Sequence, residues 1–350
     1  MMAFLMRPSV RSLRDLGYAN AARGDGWALV GQDGGQSIDL GDRTLFLFAD
    51  TLLARTSGAG PLSAPPISAT PSRDNAIFLA NCAATSPQRG LADALASLQY
   101  FSDGGVPRET LRATPAERLA GYRFWPEHGL VLEGQVHFFY IGVRQFDAAN
   151  TWGFQGVGSG LALFDPATGL CRRLRHRDGW RFWPVLWDDF HMGVQLLRED
   201  QTVYVYASRR RGAYSYAMLA RVSCADLADP AAYEYLASPR PEWSPRLEDS
   251  CELAAAANEY SVSFNAYLKR YLMAYVDGYS KQLCLRAARY PWGPFGEPTV
   301  SPVLRHRESS EIISLGFEHP QFAENGGKTV FLSYCQPHFT QNSLVSVTFR

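Results

Sequence analysis

Short runs in which apolar and polar residues alternate, separated by turn residues, recur along the whole chain. This is the pattern of antiparallel β-hairpins. The first is GQDGGQSIDLGDRTLFLFADTLLA, residues 31–54. Residues 37–40 read as a short strand, Gly41-Asp42-Arg43 as a turn whose glycine supplies positive φ, and 44–49 as a second, more apolar strand. A strand, a polar turn and an aromatic or β-branched strand return as GLVLEGQVHFFYIGV (129–143), MGVQLLREDQTVYVYAS (192–208), YSVSFNAYLKRYLMAYV (260–276) and HPQFAENGGKTVFLSYC (319–335). A further strand follows each hairpin, at 75–82, 160–164, 215–222, 282–288 and 343–349.

Five such units predict an all-β fold, a five-bladed β-propeller of antiparallel sheets, because radial repetition protects the edges that small sheets expose. The chain 1–350 then forms one domain, with 1–24 as an N-terminal extension and 83–122 as an insertion between the first two blades. The final strand SLVSVTF is expected to close the ring against the N-terminal blade. A β-sandwich is the rival arrangement. Helical signal is confined to the insertion. Residues 91–98 read as two turns, and Thr114 with Glu117 matches a capping box for a short helix at 114–119.

The first hairpin carries an aspartate at each open end, Asp33 and Asp50. With the turn centred near Asp42, position 50 faces position 34, and Asp33 lies diagonal to Asp50, at roughly 7–8 Å between Cα atoms. Glycosidases hold their two carboxyl groups about 5 to 9.5 Å apart, so a paired-carboxylate site is expected here. The blander readings are a turn residue for Asp33, which precedes Gly34-Gly35, and a strand-end cap for Asp50. Asp50 follows the apolar run LFLFA and is expected to carry the raised pKa of the general acid. Asp33 would then be nucleophile or base, with the reverse assignment left open.

If the units are equivalent, the residues before each first strand gather at one mouth of the central channel. They read Gln32-Asp33-Gly34, Arg123-Phe124-Trp125-Pro126-Glu127-His128, Trp187-Asp188-Asp189-Phe190-His191, Asn258-Glu259-Tyr260 and Phe317-Glu318-His319-Pro320. Acids, imidazoles and aromatics of this kind bind sugar hydroxyls and the apolar faces of sugar rings. The substrate-binding candidates are Asn75, Arg123, Trp125, Glu127, Asp189, His191, Tyr260 and His319. Against this stand solvated loop charges for Glu127, Asp188 and Asp189, and a satisfied structural histidine for His319.

The 34 basic and 34 acidic side chains cancel, which argues against a nucleic-acid surface or a polybasic membrane contact. No stretch approaches the ~20 apolar residues of a membrane-spanning helix. The N-terminus lacks the features of a secretory signal, so a cytoplasmic location is expected. The six cysteines have neither redox nor zinc-motif spacing and read as reduced thiols. No cofactor is called for, although a structural calcium in the channel near His319 fits the reading. The expected partner is a carbohydrate, and oligomeric state is not legible. A non-catalytic glycan-binding propeller and a protein-interaction scaffold are the alternatives to an enzyme.

The segment DGGQSIDLGDRTLFLFADT resembles the opening of a family of bacterial five-bladed propellers long described only as a domain of unknown function, some of whose members are endo-D-arabinanases. The likeness continues in RFWPEHGLVLEGQVHFFY, SVSFNAYLKRYLMAYV, LRAARYPWGPFGEPTV and FEHPQFAENGGKTVFLSY, and so spans nearly the whole chain. The resemblance implies a furanosidase-like glycoside hydrolase, with Asp33 and Asp50 as the catalytic carboxylates and His319 facing the channel. Ala49 departs from it, since the family more often has glycine there. The missing secretory signal is a second departure.

Overall fold

The computed structural model describes residues 7–18, 27–55, 76–87, 89–147, 153–176, 179–184, 190–306, 313–335 and 342–350. Five antiparallel sheets form a five-bladed β-propeller. Blade one runs Trp27–Asp39, Thr44–Arg55, Cys82–Ser86 and Gln99–Tyr100 from the axis outward. Blade two is Tyr122–Leu132, Gln135–Gln145, Phe154–Asp165 and Leu170–Arg173. Blade three opens with Phe190–Glu199, Thr202–Arg211 and Tyr214–Ser223, and blade four with Ser261–Asn265, Arg270–Asp277 and Gln282–Ala288. Blade five is Ser314–Glu318, Thr329–Cys335, Ser343–Phe349 and, outermost, Val10–Tyr18. The first strands of neighbouring blades touch one another all the way round, which closes the ring.

Closure differs from the expectation. The last strand pairs with Val10–Tyr18 inside blade five, so the N-terminal segment supplies the fourth strand of the final blade. The last blade is thus built from both ends of the chain.

The second strands are nearly continuous apolar runs because both of their faces are covered by neighbouring blades. The core is correspondingly divided among the blade boundaries. Phe46, Phe48 and Leu344 pack between blades one and five, Ile38, Phe124 and Phe138 between one and two, and Phe139, Met192 and Val205 between two and three. Tyr206, Tyr260 and Met273 fill the next boundary, and Leu272, Val330 and Val347 the last.

The first hairpin is longer than its sequence pattern suggests. Its strands extend well past the aspartates, which therefore lie within the strands rather than at their ends. The strand after it is split into Ala76–Leu79 and Cys82–Ser86. In blade five the first strand precedes His319, because Pro320 has no N–H to continue a ladder and opens a 3₁₀ turn instead. Both helices of the insertion form, and Thr114 and Glu117 make the reciprocal capping box. The described cysteines are free thiols, and no described helix is long and apolar enough to cross a membrane.

Candidate functional site

Asp33 sits in a β-bulge. Gln32 pairs with Thr51 and Gly34 with Phe48, so a single residue, Asp33, stands opposite two, Ala49 and Asp50. Asp33 therefore stands across the bulge from Asp50, near enough for the Asp50 charge to raise its proton affinity. Gly34 and Gly35 make the bulge possible, with φ of +84° and +110°. A Cβ on Gly34 would lie 3.1 Å from Ala49 N, and one on Gly35 would lie 3.0 Å from the Asn342 amide. Blade five braces the same loop, since Asn342 Nδ2 donates to Gly34 O at 3.3 Å and Cys335 reaches both Asp33 and Asn342.

The two acids have different supports. Asp50 is buried, accepts a 3.0 Å hydrogen bond from Trp125 Nε1, and has Arg123 Nη1 3.5 Å away. Arg123 is itself held by Gln145 Oε1 at 3.2 Å and lies between the rings of Phe78 and Phe154. Burial pushes Asp50 up to about 6, while Arg123 and Trp125 pull it down and Glu109 adds to the rise. Asp33 is only partly buried, yet enclosure and the neighbouring Asp50 charge push it up to about 7, against a hydrogen bond from the Cys335 thiol. The groups that favour an ionised carboxylate thus gather on Asp50 rather than Asp33, the opposite of what the apolar run before Asp50 suggests. The reason is tertiary: blade two brings a cation and an indole N–H to Asp50. Beside them a pocket of about 250 Å³ is lined by Phe78, Asn81, Glu109, Arg118, Arg123 and Gln145.

Other expected site residues divide into two groups. Glu127 and His191 come together with Glu259, their ligand atoms all within 4.8 Å of one another. Burial and the Glu259 charge hold Glu127 well above the usual carboxylate range, although Gln36 donates to it at 3.3 Å. Tyr260 and His319 are enclosed instead. Tyr260 is fully buried, and its hydroxyl donates to Ala207 O at 2.7 Å, so it packs a blade boundary and presents no face to a ligand. His319 is also fully buried, with Nδ1 2.7 Å from Ser37 Oγ and Nε2 2.8 Å from Ser333 Oγ. Both ring nitrogens are committed to hydroxyls, so the imidazole does not fit the role of a calcium ligand. Burial, with His128 nearby, pulls its pKa to about 3, and His319 is a neutral bridge between blades five and one. Asn75 and Asp189, like Trp187 and Asp188, lie outside the described residues.

Several polar residues of the inner strands escaped selection from the sequence. Glu318 is buried, accepts from Ser263 Oγ at 2.8 Å, and is raised to about 7 by burial. His128 accepts from Leu196 N at 3.2 Å and is lowered to about 4 by burial. Glu259, Glu318 and His128 all stand in the segments that precede or form the first strands, so their shared register was the available signal. Gln36, Cys335 and Asn342 carry no sequence signal.

The fold is shared with known structures at low identity. A protein from Bacteroides ovatus ATCC 8483, described as a presumed hydrolase, superposes with a TM-score of 0.62 at 16% identity, over 95% of this chain and 87% of that one. An α-L-arabinofuranosidase from Podospora anserina, solved with cellotriose, gives 0.50 at 10% identity over 98% of each chain. The catalytic domain of a Coprinopsis cinerea α-L-arabinofuranosidase gives the same TM-score of 0.50, identity of 10% and coverage of 98% of each chain. No curated protein matches the sequence. A family model does match, over residues 18–346, and the chain therefore belongs to the family described as Domain of unknown function (DUF5005).

Proposed function

We propose that this protein is a glycoside hydrolase acting on a furanoside-containing glycan through Asp33 and Asp50. The observation that carries the reading is that Asp33 and Asp50 lie across one bulge within electrostatic reach, with unequal support for their ionised forms. Asp33, the higher of the two, donates its proton to the glycosidic oxygen as the bond to the anomeric carbon breaks. Asp50, kept ionised by Arg123 and Trp125, attacks the anomeric carbon. Water then displaces it, with Asp33 taking the water's proton. This is the retaining double displacement, in which the second carboxylate bonds covalently to the sugar before water releases it. The furanoside preference, and arabinan as one such substrate, rest on the sequence resemblance to endo-D-arabinanases. The fold shared with arabinofuranosidases is compatible with it. The pocket beside Arg123 is the place for a neighbouring sugar unit.

Screening 4-nitrophenyl arabinofuranosides, galactofuranosides and fructofuranosides against the purified chain tests the activity. Turnover lost in both Asp33→Asn and Asp50→Asn supports the assignment. Azide should rescue Asp50→Gly with inverted anomeric configuration and Asp33→Gly with retained configuration. Sugar binding without turnover in the parent would instead make the protein a lectin-like propeller.

A further inference from the structure

Three acid or imidazole groups meet near the propeller axis from three different blades. Glu127 comes from the first strand of blade two, His191 from that of blade three, and Glu259 from the turn entering blade four. Their ligand atoms lie within 4.8 Å of one another. Donor atoms around one ion bonded at about 2.0–2.4 Å are separated by no more than twice that length, so the spacing is compatible with a shared cation.

A second observation comes from blade one. Gln36 is 4% exposed, and its Nε2 donates both to Glu127 Oε2 and to Val194 O, each at 3.3 Å. Those two acceptors fix the orientation of the amide, because the reversed one would set oxygen against oxygen. Gln36 Oε1 is then a buried acceptor with no hydrogen-bond partner among the described residues, on the carbon that also bears the nitrogen touching Glu127. A buried, unsatisfied amide oxygen costs free energy, and buried carboxylates are stable when paired or bound to a metal.

We propose that Glu127, His191 and Glu259, completed by Gln36 Oε1, form a divalent-cation site joining blades one to four. One imidazole among three oxygen donors suits Zn²⁺ or Mn²⁺ better than Ca²⁺, which favours six to eight oxygens. A proton shared between Glu127 and Glu259 is the competing way to relieve their repulsion. The proposal uses neither Asp33 nor Asp50 as a ligand and stands whether or not they hydrolyse sugars.

The test uses the full-length protein after chelator treatment and dialysis, with ZnCl₂, MnCl₂ and CaCl₂ added singly. Calorimetry should show one equivalent of Zn²⁺ or Mn²⁺, and saturation at a hundredfold over Kd should raise Tm by about 4 °C. Glu259→Gln and His191→Gln should each weaken binding at least tenfold, while Asp33→Asn leaves it unchanged. X-ray absorption of the metal-loaded parent should show imidazole and oxygen ligands, and it decides the matter should the variants misfold. Absence of binding by all three ions, tighter binding of Ca²⁺ than of the other two, or a coordination sphere lacking imidazole would overturn the proposal. Uptake of metal by a protein that cleaves no furanoside would leave it intact and remove the hydrolase reading alone.

Discussion

Trp125 and Asp50 are joined across the boundary between blades two and one by a 3.0 Å hydrogen bond from the indole Nε1 to the carboxylate. The bond favours the ionised carboxylate and opposes the rise that burial imposes. Trp125→Phe keeps the ring and removes the donor. A charge-assisted hydrogen bond contributes roughly 1.5 kcal/mol, so the Asp50 pKa should rise by about 1 unit. The acidic limb of the kcat/KM profile should move up by that amount, and an unmoved limb would separate Asp50 from the rate.

The parent's own profile follows from the same pair. With Asp50 at about 6 and Asp33 at about 7, kcat/KM should be bell-shaped with its maximum between those values. Activity on an aryl furanoside that rises steadily to pH 9 would exclude a protonated Asp33.

Stability has a definite sign. Both folded-state values exceed the ~3.9 of an unfolded aspartate, so between pH 4 and 7 the folded chain holds protons that the unfolded chain has lost. Their contribution to stability therefore falls as pH rises through that window. Asp50→Asn removes one of the two groups and should stabilise the protein at pH 8 by about 1–3 kcal/mol, with little effect at pH 4. Urea unfolding at the two pH values measures the difference.

His319 acts in the other direction. Its folded-state pKa of about 3 lies below the ~6.5 of an unfolded histidine, so the unfolded chain takes up a proton first as pH falls below about 6.5. The stability associated with neutral His319 is lost progressively toward pH 3. His319→Ala also strands Ser37 and Ser333 and leaves a cavity, at a cost of about 2–4 kcal/mol at pH 7. A loss below 1 kcal/mol in denaturant titration would contradict a bridging role.

Gly34→Ala should impair the site more than its single methyl suggests. The residue must hold φ near +84° with a Cβ 3.1 Å from Ala49 N. Backbone strain of ~1–2 kcal/mol, relieved by shifting the bulge, would turn Asp33 away from Asp50. Turnover should fall at least tenfold with substrate binding largely kept, and an unchanged kcat would show that the bulge tolerates a side chain.

Much of this arrangement was legible in the sequence. Alternation and turn residues marked five hairpins, and the third strands at Gln282–Ala288 and Ser343–Phe349 form where the pattern placed them. The capping box at Thr114 was readable because it is a contact between residues three apart. Asp33 and Asp50 could be paired because they share one hairpin. Their register could not be read, since a bulge inserts a residue without altering the alternation around it. Nor could the fates of Tyr260 and His319, whose partners Ala207, Ser37 and Ser333 lie on other strands or other blades.

The sequence by itself determined the elements and the repeat, because strand period, turn chemistry and capping act between near neighbours. It also determined which acids would stand close together within one hairpin. Tertiary structure decided the chemistry of those acids. Ring closure brought Val10–Tyr18 to the last blade, Arg123 and Trp125 to Asp50, Cys335 to Asp33, and Glu259 to Glu127 and His191. A carboxylate's proton affinity depends on burial and on charges a few ångströms away, and in a propeller those charges come from blades far apart along the chain.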